Sequence, residues 1–373
     1  MPNQPKRYGI PIQKSTLLTL VTPLFLLFAI PKTSGQVASN PFEFQFEDKI
    51  LRGLIEKPQD VKPKALVILI PGYGRTNFVK GNWYANLREK LVASGLTVVF
   101  WDKMGCGNSD GDFDAQQPVE NSADEAIAAL QKIKKLKVPG FETIGFWGIS
   151  RAGWIVPLIN EQFPMKFWIS VSGTDDKENF GYLLKSNLII AGKEEKEAQT
   201  LYEAWMLGHK IFNTQGKYED YLNAIKPLAQ DSLSRMLFGY TKVSHITDED
   251  RKKFIQEQKQ YTSKGHFDTE SGLWVYINDF DQTLLKINCP VLALFGANDS
   301  QVDWRKTKKL YEETIGANPD SELTVKVFEN CNHVLQKCIT CGWREDLSAL
   351  KWKACDAYYE TMEEWLRVHQ IVE

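Results

Sequence analysis

The sequence lacks an apolar run long enough to cross a bilayer. Its N-terminal run, STLLTLVTPLFLLFAI, falls short of the ~20 residues a spanning helix needs, and Pro23 interrupts it. Basic surplus is missing too: 45 Lys and Arg face 47 Asp and Glu, so no cationic surface for nucleic acid is expected. No internal repeat or low-complexity tract is evident, so a repeat architecture is not expected. Histidine is scarce, with only His209, His245, His266, His333 and His369, so the candidates for a general base are few. What is present, 43% hydrophobic and 25% charged residues over 373 positions, suits a folded protein with a substantial core.

Residues 1–35 stand apart. Lys6, Arg7 and Lys14 precede the apolar run, and the small, polar PKTSGQ follows it, the pattern of a secretory signal cleaved near Gly35. A retained membrane anchor is the weaker alternative. Cleavage would remove four basic residues and no acidic one, moving the formal charge from −2 to −6. The expectation is a secreted or periplasmic protein with no stable membrane insertion after cleavage.

The segment 42–58, FEFQFEDKILRGLIEKP, alternates apolar and polar residues about a turn and predicts two antiparallel strands. From there continuous apolar runs alternate with helical patterns: ALVILI, LTVVFWD, TIGFWG and KFWISV are the runs. Strands buried on both faces and separated by helices predict a mostly parallel central sheet flanked by helices. The rhythm pauses over 174–286, where helical spacing dominates and no strand run is visible. It resumes with PVLALFG (290–296) and LTVKVFE (323–329). The expected organisation is a core over 36–173 and 287–373 with a helical cap inserted at 174–286.

GFWGISRAGW (145–154) places Ser150 after a buried strand and before a helix. Small residues at 148 and 152 suit a nucleophile on a sharp strand-to-helix turn; a serine that merely caps the helix is the bland alternative. A serine hydroxyl needs a base, and the base an orienting carboxylate. Asp299 follows the strand VLALFG, with Asp303 as a nearby alternative, and His333 follows the strand LTVKVFE. Backbone N–H groups of Arg151 and of Tyr73 in the loop Pro71-Gly72-Tyr73-Gly74, with Gly74 as the alternative to Tyr73, are candidates for an oxyanion hole.

Cysteine leaves two readings open. Cys331, Cys338, Cys341 and Cys355 crowd the C-terminal stretch, where an exported protein would form disulfides of unreadable connectivity. Cys331, Cys338 and Cys341 with His333 could instead bind zinc, which would deny His333 a role as base.

LIPGYG, WDKMGCGNSDG, GISRAGW, LALFGANDSQVD and NCNH, in this order, resemble the α/β-hydrolase superfamily, and within it serine esterases with a Gly-Ile-Ser-Gln-Gly-Gly-Trp segment. The likeness covers roughly residues 40–370 apart from the insert. It implies an α/β-hydrolase fold with a helical cap, Ser150 as nucleophile, His333 as base, Asp299 as acid, and no chemistry for Asp102 or Cys106. Pro71, Arg151 and Ala152 depart from that pattern, standing for histidine, glutamine and glycine. Arg151 is expected in a structural ion pair, with a bias toward acidic substrates as the alternative. The implied activity is hydrolysis of a small ester or short acyl substrate without a cofactor or a catalytic metal. Amide or peptide cleavage on the same fold, and a non-catalytic ligand-binding protein, are the alternatives. Phe180, Tyr182, Trp205, Phe212, Trp274 and Tyr276 of the insert are candidates to line an acyl pocket or simply to fill its core.

Overall fold

A computed structural model of the chain describes residues 37–177, 180–240, 246–343, 345 and 353–373. The expected signal segment lies outside them. Strands β1 (Val37–Phe46) and β2 (Lys49–Pro58) form the antiparallel hairpin, turning at Glu47 in the left-handed region. The chain then alternates through β3 (Leu66–Ile70), α1 (Ala85–Ala93), β4 (Thr97–Trp101), α2 (Val119–Lys135), β5 (Ile144–Ile149), α3 (Ala152–Gln162) and β6 (Phe167–Val171). After β6 come helices α4 (Phe180–Ile190), α5 (Glu195–Asn213), α6 (Tyr218–Gln230), α7 (Ser232–Phe238) and α8 (Asp248–Thr262). Two short strands follow, β7 (His266–Phe267) and β8 (Trp274–Val275), then α9 (Phe280–Leu284). The last elements are β9 (Pro290–Gly296), α10 (Trp304–Glu313), β10 (Glu322–Phe328) and α11 (Tyr358–Val368).

Among the described residues, eight strands form one sheet in the order β1-β2-β4-β3-β5-β6-β9-β10. Within this sheet only the pairs β1–β2 and β2–β4 are antiparallel. Alternate side chains of each inner strand feed opposite faces. Ile68, Phe146 and Trp168 pack with α2, α3 and α10, whereas Val67, Trp147 and Ile169 pack with α1 and α11. Covering both faces buries β3 to β6 at every position and makes them apolar apart from Thr97 and Ser170. It also explains why the outer hairpin alternates instead. The chain leaves β3 toward β4 on one side and β5 toward β6 on the other, so the strand order reverses between β3 and β5. The loops following these two strands diverge there and leave a crevice at their carboxyl ends.

The segment between β6 and β9 builds a smaller core of its own from Leu184, Leu188, Leu201, Trp205, Ile225 and Leu228. Residues 174–286 are not purely helical. His266 and Phe267 pair with Val275 and Trp274, a ladder too short to leave a two-residue period in the sequence.

Four sulfurs are paired, Cys331 with Cys355 and Cys338 with Cys341. This overturns the zinc reading, because disulfide sulfurs are no longer thiolate ligands. Cys331–Cys355 closes a loop of 24 residues between the end of the sheet and the start of α11. Replacing both with alanine is expected to lower unfolding free energy by about 3 kcal/mol, read as a reduced urea midpoint. An unchanged midpoint would contradict that estimate.

Candidate active site

Ser150 sits immediately after β5 with φ +57°, a left-handed conformation that is uncommon for a non-glycine residue. Its N–H donates to the Val171 carbonyl at 2.9 Å, and its own carbonyl accepts from Gly153 N–H at 2.7 Å. The turn closes because its neighbours are small. A Cβ on Gly148 would lie 2.8 Å from the Ala152 Cβ, and one on Gly72 would lie 3.1 Å from the Ser150 Cβ. Alanine in place of the glycine common at position 152 therefore fits this turn.

Asp299 and His333 lie in the loops that follow the adjacent parallel strands β9 and β10. Asn298 N–H donates to the Cys331 carbonyl at 3.1 Å, joining the two loops. Asn332 shapes the turn that carries His333, its side-chain oxygen accepting from Val334 and Gln336 N–H at 3.1 Å each. His333 Nδ1 meets Asp299 Oδ2 at 2.8 Å. The other carboxylate oxygen accepts from Gln301 N–H at 2.8 Å and Val302 N–H at 3.0 Å. Asp299 is 3% exposed and His333 6%, so this bond is sheltered from water. Asp303 instead stands at the N-cap of α10.

Ser150 and His333 border one cavity of about 480 Å³, together with Tyr73 and Arg151. Its remaining wall is largely aromatic, with Trp154, Phe180, Phe238, Tyr276 and Trp343. Trp154 stacks on Tyr276 at 4.2 Å and Tyr73 meets Phe180 edge-on at 5.8 Å. Of the insert aromatics singled out from sequence, Phe180 and Tyr276 reach this wall. Tyr182 instead donates its hydroxyl to the Asp299 carbonyl, and Trp205 packs in the insert core. Helix α4 also ties Ser186 and Asn187 to the Ser300 carbonyl, at 2.6 and 3.1 Å. It thereby joins the insert to the loop that holds Asp299.

Arg151 corrects one expectation. Among the described residues no carboxylate lies at ion-pair distance from it. Its guanidinium donates to the Gln117 carbonyl and to Ser122 Oγ, and burial holds its pKa below the usual value. The nearby Asp114 pairs with Lys264 at 2.8 Å. As the N-cap of α3, Arg151 carries one of the backbone N–H groups at the helix's positive end.

Sequence reasoning missed Phe238, Trp343 and Lys103. Lys103 Nζ donates to the carbonyls of Gly72 at 3.1 Å and Gly74 at 2.6 Å, on the glycine loop beside Ser150. Burial pushes its pKa down to about 8.

The family described as X-Pro dipeptidyl-peptidase (S15 family) matches residues 55–334, a span that includes Ser150, Asp299 and His333. The chain belongs to the S15 family. This S15-family chain is 24% identical over 178 residues to acyltransferase drtE of Aspergillus calidoustus, covering 45% of this chain and 53% of the relative. It thus spans about half the length of the curated relative it matches. Among solved structures, the esterase Pf2001 of Pyrococcus furiosus superposes with a TM-score of 0.50 at 15% identity, covering 89% of this chain and 91% of that one. DcsB in complex with its substrate analogue superposes with a TM-score of 0.50 at 15% identity, over 89% and 99%. At such identity these structures speak for the fold alone. The fold is that of the α/β-hydrolases.

Proposed function

We propose that this S15-family chain is a serine hydrolase that cleaves carboxylic esters through an acyl-enzyme on Ser150. The observation that carries the reading is the sheltered Asp299–His333 hydrogen bond, whose imidazole borders the same cavity as a serine on a left-handed turn. Ser150 Oγ attacks the ester carbonyl while His333 Nε2 takes the hydroxyl proton; Asp299 holds Nδ1–H and stabilises the imidazolium. Backbone N–H groups of Tyr73 and Arg151 receive the developing oxyanion. The carbonyl–alkoxide bond breaks, His333 returns its proton to the departing alcohol, and a water activated by the same imidazole releases the acid. The helices of 174–286 act as a cap whose Phe180, Leu183 and Phe238 close the cavity over the acyl group.

Ester rather than dipeptide cleavage is supported by the cavity wall. Removing two residues from a peptide's amino end presents an ammonium close to the scissile bond, and a buried ammonium needs a carboxylate partner. Among the described residues lining the cavity none is acidic, and Arg151 adds positive charge there. The family match favours peptide cleavage as the second reading. The pairing of four cysteines fits an oxidising compartment, consistent with export to the periplasm or medium.

A panel of p-nitrophenyl esters of increasing acyl length, run beside Xaa-Pro p-nitroanilides, separates the two bonds. Esters are expected to give kcat/KM about 100-fold or more above the anilides, an energy difference of about 3 kcal/mol. The reverse order would establish the peptidase reading.

A further inference from the structure

We propose that Lys103 is a positioning residue for hydrolysis, its ammonium clamping the two carbonyls on either side of Tyr73 and so holding the 71–74 loop against Ser150. The inference rests on the reading of Ser150 as nucleophile.

The contacts are specific. Nζ lies 3.1 Å from the Gly72 carbonyl oxygen and 2.6 Å from that of Gly74. Gly72 packs so closely on the nucleophile's residue that an added Cβ would come within 3.1 Å of Ser150 Cβ and 3.2 Å of the Ile149 carbonyl oxygen. A trans peptide points its C=O and N–H in opposite directions. A cation on the Gly72 oxygen therefore lies on the far side of that peptide from Tyr73 N–H, and polarises the unit so that this N–H is a stronger donor. Two further bonds tie the loops together: Lys103 N–H to Thr76 Oγ1 at 3.3 Å and Arg75 Nη1 to the Gly105 carbonyl at 2.9 Å.

The placement is costly for a lysine that serves only as filler. Among the described residues no carboxylate is within ion-pair distance of Nζ. The adjacent Asp102 spends its oxygens on Val79 and Asn108 N–H. The groups facing Lys103 are the Arg151 guanidinium, the Glu125 carboxyl, the Cys106 thiol and the Phe113 ring. Arg151 favours the neutral amine, whereas Glu125 and Cys106 favour the ammonium. Glu125 is itself raised by burial and accepts from Trp101 Nε1 at 2.7 Å. Burial outweighs the favourable contacts and brings Lys103 down to about 8. The clamp is thus charged at neutral pH and loses its charge as the pH rises through that value.

The test measures kcat and KM for a p-nitrophenyl ester from pH 6 to 10 in wild type, Lys103→Met and Lys103→Arg, normalised to the fraction of Ser150 labelled by a fluorophosphonate. At pH 7 Lys103→Met is expected to lower kcat by about 10- to 100-fold, less than the loss of a whole oxyanion donor, with KM within about threefold. Wild-type kcat should fall above pH 8. Lys103→Arg should keep most of the activity and lose that alkaline limb. Wild-type kcat in Lys103→Met, or a loss confined to KM, overturns the proposal. Should Lys103→Met fail to fold, the arginine variant decides: an alkaline limb that persists in it also overturns the proposal. Absence of Ser150 labelling in the wild type removes the nucleophile reading and this inference with it. Labelling with a Lys103-independent rate removes only the latter.

Discussion

Ser150→Ala is expected to lower ester turnover by about 10⁴-fold or more while leaving the fold intact. The loss corresponds to about 5.5 kcal/mol of transition-state stabilisation. Nothing in the packing requires the hydroxyl: the turn is held by the backbone bonds of Ser150 to Val171 and Gly153 and by the smallness of Gly148 and Ala152. Alanine keeps the Cβ that Gly72 packs against and removes only the attacking oxygen. Thermal unfolding of the variant should therefore match the wild type while kcat collapses. A variant that keeps a tenth of the activity would remove Ser150 from the mechanism.

Asp299→Asn is expected to cost about 10³- to 10⁴-fold in kcat, for a reason the local bonds make explicit. The amide oxygen of asparagine would stay with Gln301 and Val302 N–H, which donate to the present Oδ1. Its NH₂ would then face His333 Nδ1 and donate to it. That forces the proton of the neutral imidazole onto Nε2, the nitrogen that must accept the serine proton, and the base is lost without any displacement. Asp303→Asn, at the helix cap, should change kcat by less than twofold. Equal losses in the two variants would mean that Asp299 contributes packing rather than orientation.

Much of this arrangement is legible in the residues themselves. β3 to β6 announce themselves because both faces are covered, so every position is buried and all but Thr97 and Ser170 are apolar or glycine. Ser150 and Asp299 stand out as candidates because each follows the carboxyl end of a buried run, and His333 because it follows the half-exposed edge strand β10. What escapes depends on distances between loops far apart in the chain. Cysteine spacing leaves the pairing of 331 with 355 undetermined, since it depends on where α11 docks. Lys103 lies about thirty residues from the carbonyls it grips. No periodicity marks a side chain whose partners are backbone oxygens. The expected ion pair of Arg151 fails for a related reason: a carbonyl and a hydroxyl reach the guanidinium, while Asp114 is taken by Lys264. Phe238 and Trp343 enter the cavity from segments whose sequence gives no sign of which way they face.

The most direct test of the account is peptide mapping by mass spectrometry after treatment of wild type, Ser150→Ala and His333→Ala with a fluorophosphonate. The account predicts one phosphonyl adduct on the tryptic peptide containing Ser150, none in Ser150→Ala, and labelling slowed by orders of magnitude in His333→Ala. An unmodified wild-type Ser150 peptide, or labelling equally fast without His333, would contradict it.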